Sequence, residues 1–211
     1  MSNSVTVTVK AAPDGPYIVK NLQKFSNRKG AIDCKEVIGL CRCGQSANKP
    51  YCDGSHKTVG FSSENQLDPA RDRLDTYQGK KITVYDNRSI CAHAGICTDS
   101  LPAVFQYGEN SFVDPDGAGV AEIIDIVNRC PSGALSYIID DESETRLIDE
   151  ASISITANGP YVLKGKMVLL DIDKGAGASE SSCSLCRCGA SKNKPFCDGS
   201  HWDIDFSDDK N

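Results

Sequence analysis

The 211-residue chain has one Trp, two Met and three His, and Leu, Ile and Val are not abundant. A chain with so little to build small cores from leans on covalent or metal cross-links. No apolar run approaches the about 20 residues that cross a bilayer, so no membrane span is expected. Positive charge is in deficit: 23 Lys and Arg face 29 Asp and Glu, for a net charge of -6. That balance counts against nucleic acid as the main partner and suits docking on a basic face of another protein. There is no Ser/His/Asp set, no phosphate loop and no nucleotide fingerprint, so the chain is not expected to be an enzyme. The opening MSNSVTVTVK has no basic segment followed by an apolar one. The expectation is a cytoplasmic chain with reduced thiols, where metal or cluster binding outranks disulfides.

Cysteine is what the chain has in excess, at 11 residues. An odd number cannot all pair. They fall into three groups: Cys34, Cys41, Cys43 and Cys52; Cys91, Cys97 and Cys130; Cys183, Cys186, Cys188 and Cys197. The first and last groups sit in a repeat. CRCGQSANKPYCDGSH (Cys41–His56) returns as CRCGASKNKPFCDGSH (Cys186–His201), changed only at Gln45/Ala190, Ala47/Lys192 and Tyr51/Phe196. Upstream, VTVKAAPDGPYIVKN (Val7–Asn21) resembles ISITANGPYVLKG (Ile153–Gly165). Both alternate β-branched residues, pass a Gly-Pro-Tyr turn and enter a second apolar run, the pattern of a β-hairpin.

Each motif reads C-x-C-x8-C-x3-H. Three Cys and one His is a common structural zinc set, but the C-x-C spacing is unlike the C-x2-C or C-x4-C of zinc knuckles. Pro50 and Asp53-Gly54-Ser55 are turn and cap types that place a helix start there. Cys52 and His56, four apart, then share a face. The free N–H groups of a helix start suit an anionic cluster. Two readings are open for Arg42 and Arg187, between the paired cysteines: charges that offset the cluster's, or solvated surface arginines. Lys49 and Lys194 are read as solvated, and Cys34 and Cys183 as structural thiols outside every motif.

With Ser46/Ser191 and Pro50/Pro195 in place, both copies are similar in full to the CDGSH iron–sulfur (NEET) domains. That resemblance implies a [2Fe–2S] cluster in each. It places Cys41 and Cys43, or Cys186 and Cys188, on an inner iron, and Cys52 and His56, or Cys197 and His201, on an outer one. With three thiolates instead of four the site is less negative, so its potential should exceed that of plant-type ferredoxins. The imidazoles are further expected to make the clusters pH-sensitive.

The middle group resembles a divergent single-cluster ferredoxin over Lys80–Ile139, carried by CAHAGIC, LPAVF and CPSGALSY. In the usual C-x2-C-x2-C run Cys91 and Cys97 hold the outer places and Ala94 the middle one, with Cys130-Pro131 completing the set. Three thiolates imply a [3Fe–4S] cluster; the alternative is [4Fe–4S] with a non-cysteine ligand, for which His93 is the candidate. The segment reads as β-α-β-α-β, with strands in KKITVYDN, SFVDP and ALSYIID and helices in DSLPAVFQY and AGVAEIIDIVNRC.

The expected class is α+β. Two small β-rich CDGSH domains (1–61 and 153–206) pair as an intramolecular pseudo-dimer that exchanges strands, with a ferredoxin-like domain (80–139) between them. Linkers are expected at 62–79 and at 140–152, the latter acidic, and a tail at 207–211. The expected role is electron transfer in a monomer, with redox partner proteins. Alternatives are storage or transfer of clusters to apo iron–sulfur acceptors, or redox and pH sensing.

Overall fold

The structure, a computed structural model, describes residues 6–139 and 150–211. Most of the acidic stretch 140–152 lies outside them. Twelve strands and three short helices are described, an α+β composition dominated by sheet.

The two hairpins form as the alternation requires. Strand β1 (Thr8–Ala11) pairs antiparallel with β2 (Tyr17–Lys20), and β9 (Ser152–Ile155) with β10 (Tyr161–Lys164). Val9, Tyr17 and Val19 face inward in one, and Ile153, Ile155, Tyr161 and Leu163 in the other. Asp14 and Asn158 take positive φ at the turns, as short side chains that bond locally can.

The third strand of each repeat crosses over. β3 (Lys24–Asn27) runs parallel to β9 of the other repeat, with Lys24 opposite Ser152 and Ser26 opposite Ser154. β11 (Val168–Leu170) runs parallel to β1, with Thr8 opposite Val168. With β4 (Gly30–Ala31), β5 (Val37–Leu40) and β12 (Ser182–Leu185), the sheet orders are β11-β1-β2-β5 and β12-β10-β9-β3-β4. Each sheet therefore contains strands from both ends of the chain, and one core joins them. At its centre Tyr17 and Tyr161 meet edge to face, with ring centroids 6.1 Å apart. Tyr17 Oη donates to the carbonyls of Cys186 (3.0 Å) and Pro195 (2.9 Å). Tyr161 Oη donates in turn to those of Cys41 and Pro50, both at 3.0 Å. The C-x-C loops also touch. Gly44 and Gly189 both have positive φ, and a Cβ on Gly189 would sit 2.6 Å from the carbonyl oxygen of Cys43, so only glycine allows this approach.

The middle segment has its own sheet, β6 (Asp75–Gln78), β7 (Ile82–Asp86) and β8 (Leu135–Ile139). Helix α2 (Val120–Arg129) packs Ile123, Ile126 and Val127 against it, and α1 (Ile96–Ser100) joins α2. β7, α2 and β8 lie where their patterns put them. The first helix instead starts at Ile96, before DSLPAVFQY, because Pro102 stops it; Leu101–Phe105 is a run of turns. SFVDP contributes only a bridge, Phe105 to Val113. β6 falls inside the stretch read as a linker, since its alternation is carried by Thr, Tyr and Gln on an exposed edge. The tail 207–211 is not loose either: Asp208 and Asn211 are buried.

Candidate metal centres

Each terminal motif is shaped by the residues between its ligands. Ser46 Oγ donates to the Tyr51 carbonyl (2.6 Å) and accepts from Asn48 N–H (3.0 Å); Ser191 does the same with Phe196 and Asn193. Asp53 accepts from the amide and hydroxyl of Ser55 and from Ala47 N–H across the loop. These bonds, the Ser55 hydroxyl foremost, hold its carboxyl well below the usual range. Asp198 repeats the pattern with Ser200 and Lys192. Gly54 and Gly199, at φ of 92° and 88°, then turn the chain into a short helix, Ser55–Lys57 in one copy and α3 (Ser200–Asp203) in the other. Lys49 and Lys194 are not solvated: their ammonium groups bond back to the Ser46 and Ser191 carbonyls.

The donors come together as two pairs per motif. Cys41 Sγ lies 3.8 Å from Cys43 Sγ, and Cys186 Sγ 3.7 Å from Cys188 Sγ. Cys52 Sγ lies 3.3 Å from His56 Nδ1, and Cys197 Sγ 3.4 Å from His201 Nδ1. Two ligands on one tetrahedral metal at about 2.3 Å (S) and about 2.0 Å (N) stand about 3.8 Å apart if both are sulfur and about 3.5 Å if one is nitrogen. The pairs fit that spacing, and all eleven cysteines are free thiols. Among the described residues no three His, Cys, Asp or Glu side chains gather about one point. Burial pushes the Cys197 thiol up, and the bond shared between Cys186 and Cys188 draws the former down to about 7 while raising the latter. Bound metal would deprotonate such thiols outright.

Neither arginine is solvated. Arg187 is fully enclosed, ion-paired with Asp208 and bonded to the carbonyls of Gly159 (2.8 Å) and Thr156 (3.1 Å), over the Tyr161 and Phe206 rings. Arg42 is buried over Tyr17 and Phe61 and donates to the Ala12 carbonyl. Its Nε has no hydrogen-bond partner.

The middle cysteines ring a cavity of about 280 Å³, whose lining also includes Arg88, His93, Ala94 and Pro131. Burial pushes the Cys91 thiol up to about 11. Arg88, which the sequence reading passed over, stands beside it: its Nη1 is 3.8 Å from Cys91 Sγ, and it is ion-paired with buried Asp86 at 2.7 Å. His93 is exposed, with its ring against Gly199.

Cys183 lies buried in β12 opposite Leu163, and burial pushes its thiol up to about 12. Cys34 is half-buried beside the Ile32 carbonyl. Cys183→Ala is expected to cost about 1 kcal/mol of stability and to leave the bound iron unchanged, as checked by urea unfolding and metal analysis.

Comparison with known proteins finds two family matches. A family model described as "Iron-binding zinc finger CDGSH type" matches residues 14–57 and 158–202. A second, "Divergent 4Fe-4S mono-cluster", matches residues 77–140. The chain therefore carries two CDGSH-type iron-binding regions with a divergent mono-cluster iron–sulfur domain between them. It is also similar to uncharacterized protein YjdI of Escherichia coli K12 and of E. coli O157:H7, each 39% identical over 61 residues, 29% of this chain and 80% of theirs. No solved structure matches. Among the described residues no helix is long and apolar enough to cross a membrane.

Proposed function

We propose that this protein is a one-electron carrier, not an enzyme, with two [2Fe–2S] clusters and one [3Fe–4S] cluster. The observation that carries the reading is the splitting of each terminal motif into two donor pairs, each at the spacing of one tetrahedral metal. A single zinc would draw all four donors to one point. Cys41, Cys43, Cys52 and His56 would hold one cluster, and Cys186, Cys188, Cys197 and His201 the other. Cys91, Cys97 and Cys130 would hold the third. Ala94 offers no donor and the His93 ring rests on Gly199, which favours three irons over four. Bound clusters supply sites that take up and release single electrons.

The chain's own part is to bury the C-x-C sulfurs and to set charge around them. The reciprocal strand exchange and the paired tyrosine bonds support reading the two CDGSH units as a built-in dimer. They act as a monomeric pair that meets redox partner proteins in the cytoplasm. A second reading, delivery of a cluster to an apo iron–sulfur acceptor, is favoured by one observation: Cys52 and His56 are only half-buried.

The test is a reductive titration of the loaded chain with His56→Cys beside it. A fourth thiolate adds negative charge, so one potential falls and the other two stay in place. A chain that takes up no electrons contradicts the carrier reading. Prompt transfer of colour to an apo-ferredoxin supports delivery instead.

A further inference from the structure

Two nearly identical motifs have unequal surroundings. In the second, Cys197 is 2% exposed and His201 5%; in the first, Cys52 and His56 are half-buried. The cover on the second comes from the middle segment. His93, at φ 51° in the loop between Cys91 and Cys97, lies so close that a Cβ on Gly199 would be 2.7 Å from its Cδ2. Asn193 Nδ2 donates to the Ser89 carbonyl (2.7 Å), and Ser184 Oγ donates to that of Pro131 (3.1 Å). The segments carrying Cys91 and Cys130 are thereby bonded to those carrying Cys197 and Cys186. Among the described residues the middle segment makes no such bond to the first motif, whose Ala47 carbonyl instead accepts from Lys210 of the C-terminal segment. Asn48, the counterpart of Asn193, is exposed, and nothing lies within 4 Å of a Cβ on Gly54. The two motifs meet each other through Gly44 and Gly189, where a side chain would strike the backbone of Cys188 or Cys43.

We propose that the three sites are ordered in a line: the middle site abuts the second CDGSH site, which is a buried link, and the first CDGSH site is the open end. Clusters held by these ligand sets would supply one-electron redox chemistry at three sites in that order. His93 is a positioning residue here, closing the contact at Gly199.

This ordering rests on the iron–sulfur reading above, and its test separates the two. The full chain, loaded with iron and sulfide, is challenged with an iron chelator while its visible absorbance is followed. Cys52→Ser and Cys197→Ser identify the two CDGSH phases. Metal is expected to leave the first site at least about tenfold faster than the second, because release needs the local opening that burial resists. His93→Gly keeps the left-handed backbone and should speed loss from the second site alone; His93→Asn, which also tolerates that conformation, is the companion variant. Equal rates, faster loss from the second site, or His93 variants that leave the second site's rate unchanged overturn the ordering. A chain that binds metal without sulfide overturns the iron–sulfur reading instead.

Discussion

Asp208→Asn is expected to destabilise the folded chain by about 3–5 kcal/mol, the cost of leaving one member of a buried ion pair alone. Both side chains of the Arg187–Asp208 pair are almost wholly out of water, at 0% and 2% exposure. Arg187 stands between Cys186 and Cys188, so the substitution leaves an unpaired charge in the wall of the second site. Burial opposes the Asp208 carboxylate, but the bonds from Asn211 and Arg187 outweigh it and hold its pKa below the usual range. A depressed folded value means that the stability is present above about pH 4 and is lost as pH falls through the folded value. Urea unfolding should therefore show the gap between wild type and Asp208→Asn to be widest near neutrality and to narrow in acid. A constant gap would mean that charge is not the source.

Tyr161→Ala is expected to cost a similar about 3–5 kcal/mol as a large-to-small change in a closed core. Its location makes it more informative than its size. Tyr161 belongs to the second hairpin, yet its hydroxyl bonds the carbonyls of Cys41 and Pro50 in the first motif. The variant should therefore weaken metal retention at Cys41 and Cys43 more than at Cys186 and Cys188. Tyr161→Phe keeps the ring and removes only the hydroxyl, with an expected cost of about 1–3 kcal/mol for the Cys41 carbonyl it leaves unsatisfied, since the Pro50 carbonyl still accepts from Cys41 N–H. Tyr17→Ala should reverse the pattern, since Tyr17 bonds Cys186 and Pro195. If each variant damaged only its own motif, the reading of the two units as a reciprocal pair would be wrong.

The donor pairs were legible in the sequence because chemistry demands fixed residue types at short spacing, and the hairpins because alternation is a local signal. What surrounds them was not. Arg42 and Arg187 look like surface charges until the rings of Tyr17, Phe61, Tyr161 and Phe206 close over them, and those rings come from elsewhere in the chain. Asp208 sits in a polar terminus, DFSDDKN, whose composition reads as a tail. Strand β6 is half polar at an edge and carries little apolar signal. Pro102 was the one local clue to where the first helix ends, and the run of apolar residues after it masked that clue. Arg88 is one arginine among many by sequence; its contact with Cys91 depends on the fold of the middle segment.

The most direct measurement is iron and acid-labile sulfide per chain, with EPR of the oxidised protein. Two [2Fe–2S] clusters and one [3Fe–4S] cluster require about seven Fe and eight sulfide per chain, with an oxidised signal from the three-iron centre alone. Two or three metal ions without sulfide would contradict the account, and eight Fe with an EPR-silent oxidised state would replace its middle cluster with a cubane.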